Sequence, residues 1–129
     1  MSVIFKPILW VGSSRKDMRA LPEDVQDEIG FDLFYVQRGL TPDSAKPLKG
    51  FGGANVLEIV CDYNTNTYRA VYTVRFTERV YALHVFQKKS KSGTALPKTD
   101  AELIKSRLKL AEEMEKARRE KMKRPAGKK

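Results

Sequence analysis

Residues 67–76 alternate with a period of two, and this alternation constrains the fold more than any other stretch. Tyr68, Ala70, Tyr72, Val74 and Phe76 share one face of an extended chain, while Thr67, Arg69, Val71, Thr73 and Arg75 share the other. The pattern predicts a strand with a core face and a polar face that carries two guanidinium groups. Two further strands flank it. Residues 56–62 precede it across the Asn- and Asp-rich turn DYNTNT, and residues 80–87 follow it across TER. Turns this short join antiparallel neighbours. The third strand is apolar on both faces and should be the most buried.

The remaining elements are helical or irregular. Residues 3–11 read as a first strand closed by Gly12, after which Ser14 and Asp17 have the spacing of a capping pair for a short helix. Pro22 suits the first turn of a second helix, whose stripe is Val25, Ile29 and Leu33 with Phe34 beside them, and Gly39 supplies its stop. Residues 40–55 read as a Gly- and Pro-rich surface loop. Thr99 and Glu102 fit a capping box, so a last helix should begin near Asp100, with Leu103, Ile104, Leu108 and Ala111 facing inward. The expected architecture is α+β: a small antiparallel sheet with an N-terminal helical pair and a C-terminal helix. It forms one domain over residues 1–114, and residues 115–129 form a basic tail, frayed or disordered because the apolar stripe stops.

Charge is distributed unevenly over the 129 residues, whose net charge is +9. Residues 1–45 hold 5 basic and 7 acidic side chains, residues 46–91 hold 8 and 3, and residues 105–129 hold 11 and 4. The positive charge sits in the sheet region and the tail, which favours a polyanionic partner. No apolar run approaches the roughly 20 residues of a membrane span. The opening MSVIFKPILW lacks the pattern of a secretion signal, so a cytoplasmic location is expected. One cysteine, Cys61, excludes an internal disulfide and reads as a packed, inert thiol. One cysteine and one histidine cannot build a structural zinc site, and no cofactor or small-molecule ligand is expected. Glu58 and Asp62 share a strand face, and polar surface is the plainer reading than a magnesium site.

Three strings resemble, in order, the RelE/ParE toxin superfamily, and within it the phage-derived HigB-like branch. They are LKGFGGANVLEI (residues 48–59), TYRAVYTV (residues 67–74) and HVFQKKSK (residues 84–91). The resemblance covers about residues 8–110 and implies a RelE-like, microbial-RNase-like architecture. It also implies the toxin of a type II toxin–antitoxin module, acting as a metal-independent, ribosome-dependent mRNA endonuclease. The implied partners are mRNA, the ribosome and a helix-turn-helix, HigA-like antitoxin. Other members of the superfamily poison DNA gyrase on the same fold, and a degenerate member could keep only antitoxin or nucleic-acid binding.

On the resemblance, Arg69 is the catalytic phosphate-gripping residue, and Lys88 and Lys89 lie in the loop beside the RNA site. A planar guanidinium matches phosphate oxygens in pairs. Lys46, Lys49, Arg75 and Lys91 are candidate RNA contacts. Arg69 and Arg75 are separated by six strand residues, about 20 Å, so they could follow one backbone but not grip one phosphate. His84 lies among apolar residues and reads as a satisfied core histidine. Tyr68, Tyr72 and Tyr81 could serve as a base only where cations depress their hydroxyl groups. Glu58 and Asp62 stand where several of these nucleases carry lysines, and the last helix starts without their tyrosine.

Overall fold

The computed structural model describes residues 5–53, 55–88 and 96–123. Lys89 and Lys91 lie outside the described residues. The elements run β1 (Ile8–Trp10), α1 (Ser14–Arg19), α2 (Glu23–Gln37), β2 (Ala45–Pro47), β3 (Val56–Tyr63), β4 (Asn66–Thr73), β5 (Val80–Lys88) and α3 (Lys98–Lys123). The sheet order is β1-β5-β4-β3-β2. β3, β4 and β5 pair antiparallel as expected, and β2 pairs antiparallel with β3. β1 pairs parallel with β5, so the α+β class holds but the sheet is mixed rather than antiparallel. A long excursion through α1, α2 and three strands separates β1 from β5, which a parallel neighbour requires.

Both faces of the sheet are covered, and this overturns the half-polar reading of β4. Tyr68, Ala70 and Tyr72 pack against Met18 of α1 and Val25, Ile29 and Leu33 of α2. On the other face Val71, Tyr81 and Leu83 pack against Ile104 and Ala111 of α3. Arg69 therefore faces the underside of α3 and is 3% exposed. Alternation in a strand marks two environments, and here the second is an interior that holds apolar and charged side chains together.

The local chemistry explains most element ends. Gly39 takes φ +84° behind α2, and Gly39 N–H donates to Val36 O while Leu40 N–H donates to Tyr35 O. This is the paired closure of a Schellman cap. Phe34 lies outside the buried stripe at 43% exposure, and Val36 takes the inward position. The capping expectations do not hold as stated. Ser13, not Ser14, precedes α1 and its hydroxyl donates to Asp17, whereas Ser14 is buried and donates to Ala82 O. α3 opens at Lys98 through a bond from Ala101 N–H to Pro97 O, so Thr99 falls inside its first turn.

α3 also continues helically past Met114, through residues 115–123, where a frayed tail is the expectation from sequence. The inward stripe there is carried by a charged residue. Glu115 is 2% exposed, accepts from the Tyr81 hydroxyl at 2.9 Å and pairs with Arg118, which also bridges to Glu78. Hydrogen bonding from Arg118 outweighs desolvation and holds the Glu115 carboxyl below the usual range.

β3 and β4 are joined by Asn64 and Thr65 at φ +47° and +65°, the left-handed pair of a type I′ hairpin. A β-branched residue is strained there, so Thr65→Gly should stabilise the protein by about 1 kcal/mol. The check is a higher urea midpoint with an unchanged m-value.

Candidate functional site

Beside the β2–β3 edge, the first turns of α3 leave a cleft of about 490 Å³. Its walls include Lys46 of β2, Lys49 of the following loop, and Ala101 and Lys105 of α3. Glu58 of β3 also lines it, although only 4% of that residue is exposed. The strand register makes this arrangement. Lys46 stands opposite Glu58, Glu58 opposite Val71, and Val71 opposite His84, so one row of the α3-facing surface runs from the sheet edge to its interior.

Arg69 occupies the adjacent row, between Val60 and Phe86. Its Nη1 lies 3.3 Å from Glu58 Oε2, with both side chains at about 5% exposure or less. Lys46 Nζ is 3.9 Å from the other carboxylate oxygen. The central pair is close enough for charge attraction but is not aligned as a hydrogen bond. Among the described residues, Glu58 Oε2 and Arg69 Nε have no hydrogen-bond partner. Arg69 does not form part of the cleft wall; it lies behind Glu58.

The other site residues are placed unequally. Lys46 and Lys49 both line the cleft. Lys88 lines a second cavity with Phe86 and Asp100, at the end of β5, and Phe86 is the cross-strand neighbour of Arg69. Arg69 is thus adjacent to both hollows through Glu58 on one side and Phe86 on the other. Arg75 is not brought to either: β4 ends at Thr73, and Arg75 pairs with Glu112 of α3. Asp62 is exposed and accepts from Thr67, apart from the buried Glu58, so the two carboxylates do not act as a pair.

His84 is buried but only partly satisfied. Nε2 bonds Asp100 Oδ1 at 2.7 Å, the ring stacks on Phe86 at 4.5 Å, and Nδ1 has no hydrogen-bond partner among the described residues. Two of the three tyrosine alternatives, Tyr72 and Tyr81, lose their basis. Burial pushes the Tyr72 hydroxyl up to about 12, and burial with the Glu115 carboxylate raises Tyr81, the opposite of what a base requires. Burial and the neighbouring Glu28 likewise raise the Cys61 thiol to about 12, as an inert packed cysteine should behave.

Two residues of this region carry no usable signal in the sequence. Lys105 is one basic residue among several on α3, and only the helix azimuth brings it over the cleft. Arg107 is 9% exposed beneath α3, donating to Leu83 O at 3.0 Å and to Ser13 Oγ at 2.9 Å. Leu83 is the extra residue of a bulge in β5, between Ala82 opposite Tyr72 and His84 opposite Val71. Arg107 therefore holds the bulge that sets His84 in its row.

No curated protein matches the chain. Among solved structures, it aligns with the toxin–antitoxin complex RelBE2 from Mycobacterium tuberculosis at 18% identity and a TM-score of 0.46, over 70% of this chain and 98% of that one. The family model described as "Phage derived protein Gp49-like (DUF891)" matches residues 16–109, which include all three strings of the sequence resemblance and every residue of the cleft. The chain belongs to the phage-derived Gp49-like family.

Proposed function

We propose that this protein is the toxin of a two-gene toxin–antitoxin module and cuts messenger RNA without a metal, in the cleft over Glu58 and Arg69. The observation that carries the reading is the placement of Lys46, Lys49 and Lys105 around a buried carboxylate–guanidinium pair. Ammonium groups on the rim draw in the phosphate backbone. A fixed guanidinium below stabilises charge that develops on phosphorus, and preorganised donors of this kind often contribute more to catalysis than any other group. The Glu58 carboxylate takes the proton of the 2′-hydroxyl as its oxygen bonds to phosphorus. The bond to the 5′-oxygen breaks, leaving a cyclic phosphate, and that oxygen takes up a proton. Lys88, with Lys89 next in sequence, supplies positive charge from the β5 side. The ribosome positions the message, and a helix-turn-helix antitoxin covers the toxin, as the resemblance implies.

Inducible expression tests the reading, with growth and transcript ends followed together. Wild type should arrest growth and generate new mRNA ends. A Lys46→Ala/Lys49→Ala/Lys105→Ala triple variant, altered only at solvent-exposed positions, should lose both while remaining folded. In vitro, the triple variant should also lower the salt slope of single-stranded RNA binding by about 2, since each released phosphate contact contributes roughly 0.7. Arrest with intact mRNA would instead point to gyrase or another bound target.

A further inference from the structure

We infer that the free protein is self-occupied: the Glu58 carboxylate stands where a substrate phosphate would pair with Arg69, and substrate must displace it before the guanidinium is available. The inference rests on the cleft being the RNA site and adds a gate to it. Three observations lead there. Glu58 lines the cleft, whereas Arg69 lies behind it at 3% exposure, so a phosphate entering from the lysine rim meets the carboxylate first. The pair is imperfect, with Glu58 Oε2 and Arg69 Nε both lacking hydrogen bonds among the described residues. A guanidinium offers five donors in a fixed fork, and a phosphate in the carboxylate's place could engage two of them in parallel. Lys46, 3.9 Å from Glu58 Oε1, is positioned to receive the displaced carboxylate or the arriving phosphate.

The gate has a chemical consequence. While Glu58 is paired with Arg69, its carboxylate faces the guanidinium rather than a sugar hydroxyl. Phosphate binding at Arg69 releases it beside the sugar, so the base becomes available only when a substrate phosphate is seated. An empty site therefore keeps its two reacting groups quenched against each other.

The test is equilibrium binding of a 2′-O-methylated single-stranded RNA, which can bind but lacks the attacking hydroxyl, to the full chain. A thermal-stability titration with inorganic phosphate against chloride at matched ionic strength accompanies it. Glu58→Gln should bind the methylated RNA on the order of tenfold more tightly than wild type or better, because a buried like charge is removed. It should also gain a larger phosphate-dependent rise in Tm. Asp62→Asn removes an exposed charge from the same strand and should change affinity by no more than about twofold. If Glu58→Gln fails to fold, Glu58→Asp is the second variant: it keeps the charge but draws the carboxylate back by one methylene, and a smaller tightening is expected.

Unchanged or weaker binding by the folded Glu58 variant overturns the gate, as does equal tightening by Asp62→Asn. Cleavage is scored separately on unmodified RNA. Tight binding with no cleavage by wild type would sink the nuclease reading and leave the gate standing. Cleavage by wild type without tightening in Glu58→Gln would sink the gate alone.

Discussion

Arg69→Met should lose about 3–5 kcal/mol of stability, a large part of the total for a domain of this size. The loss follows from what remains, since a buried Glu58 carboxylate would be left with only the distant Lys46 ammonium. Glu58→Leu/Arg69→Met removes both charges and should recover most of that stability, because two buried ions cost nearly as much to desolvate as their attraction returns. Urea unfolding of the two single variants and the double variant measures the difference directly. A recovered double variant without RNA cleavage would mean that the pair exists for the site rather than for the fold. A double variant as unstable as Arg69→Met would give the pair a packing role and weaken the gate inferred from its poor alignment. Growth assays with Arg69→Ala alone cannot separate these outcomes, since loss of fold and loss of phosphate grip look the same.

Local chemistry makes much of this architecture legible in the sequence. Asn64 in its turn, Gly39 behind α2 and the alternation through Tyr68, Ala70 and Tyr72 each act over a few residues, and each falls where the sequence pattern puts it. The parallel pairing of β1 with β5 is not legible, because nothing local in Ile8–Trp10 says which strand lies beside it. β2 is three residues long and half-exposed, so its pairing leaves no periodic trace.

The site is readable in residue type but not in environment. Arg69 stands out in the sequence as a candidate phosphate contact on the resemblance, yet the polar face that carries it reads as surface and is interior. Lys46 and Lys49 read as phosphate contacts, and the fold puts both on one cleft. Glu58 stands out as a departure from a lysine pattern and as a same-face neighbour of Asp62, while its partnership with Arg69 depends on the β3–β4 register. The same limit hides Arg107 and Glu115. A charged residue at an inward helix position breaks an apolar stripe in the sequence, and only its buried partners show that the stripe continues through it.

Gly12→Ala should destabilise the protein by about 2–3 kcal/mol, and most of that effect should depend on Arg107. Gly12 has φ +60°, where a side chain costs roughly 1 kcal/mol by itself. A Cβ there would also stand 2.7 Å from Arg107 Nε, inside contact distance, so the guanidinium would have to move. Moving it breaks the bonds to Leu83 O and Ser13 Oγ and leaves a buried carbonyl unpaired at the β5 bulge, at about 1–3 kcal/mol. Arg107→Ala should cost about 3 kcal/mol for the same reason, since those bonds vanish and a cavity opens beneath α3. In the Arg107→Ala background, Gly12→Ala should then cost only the backbone strain, so the double-mutant cycle should show a coupling of about 1–2 kcal/mol. Additive losses would mean that the glycine is required by backbone conformation alone. The predicted coupling would instead tie the turn after β1, the bulge in β5 and the azimuth of α3 to one buried guanidinium. That azimuth also carries Lys105 over the cleft, so the RNA affinity of Gly12→Ala should fall in step with its stability.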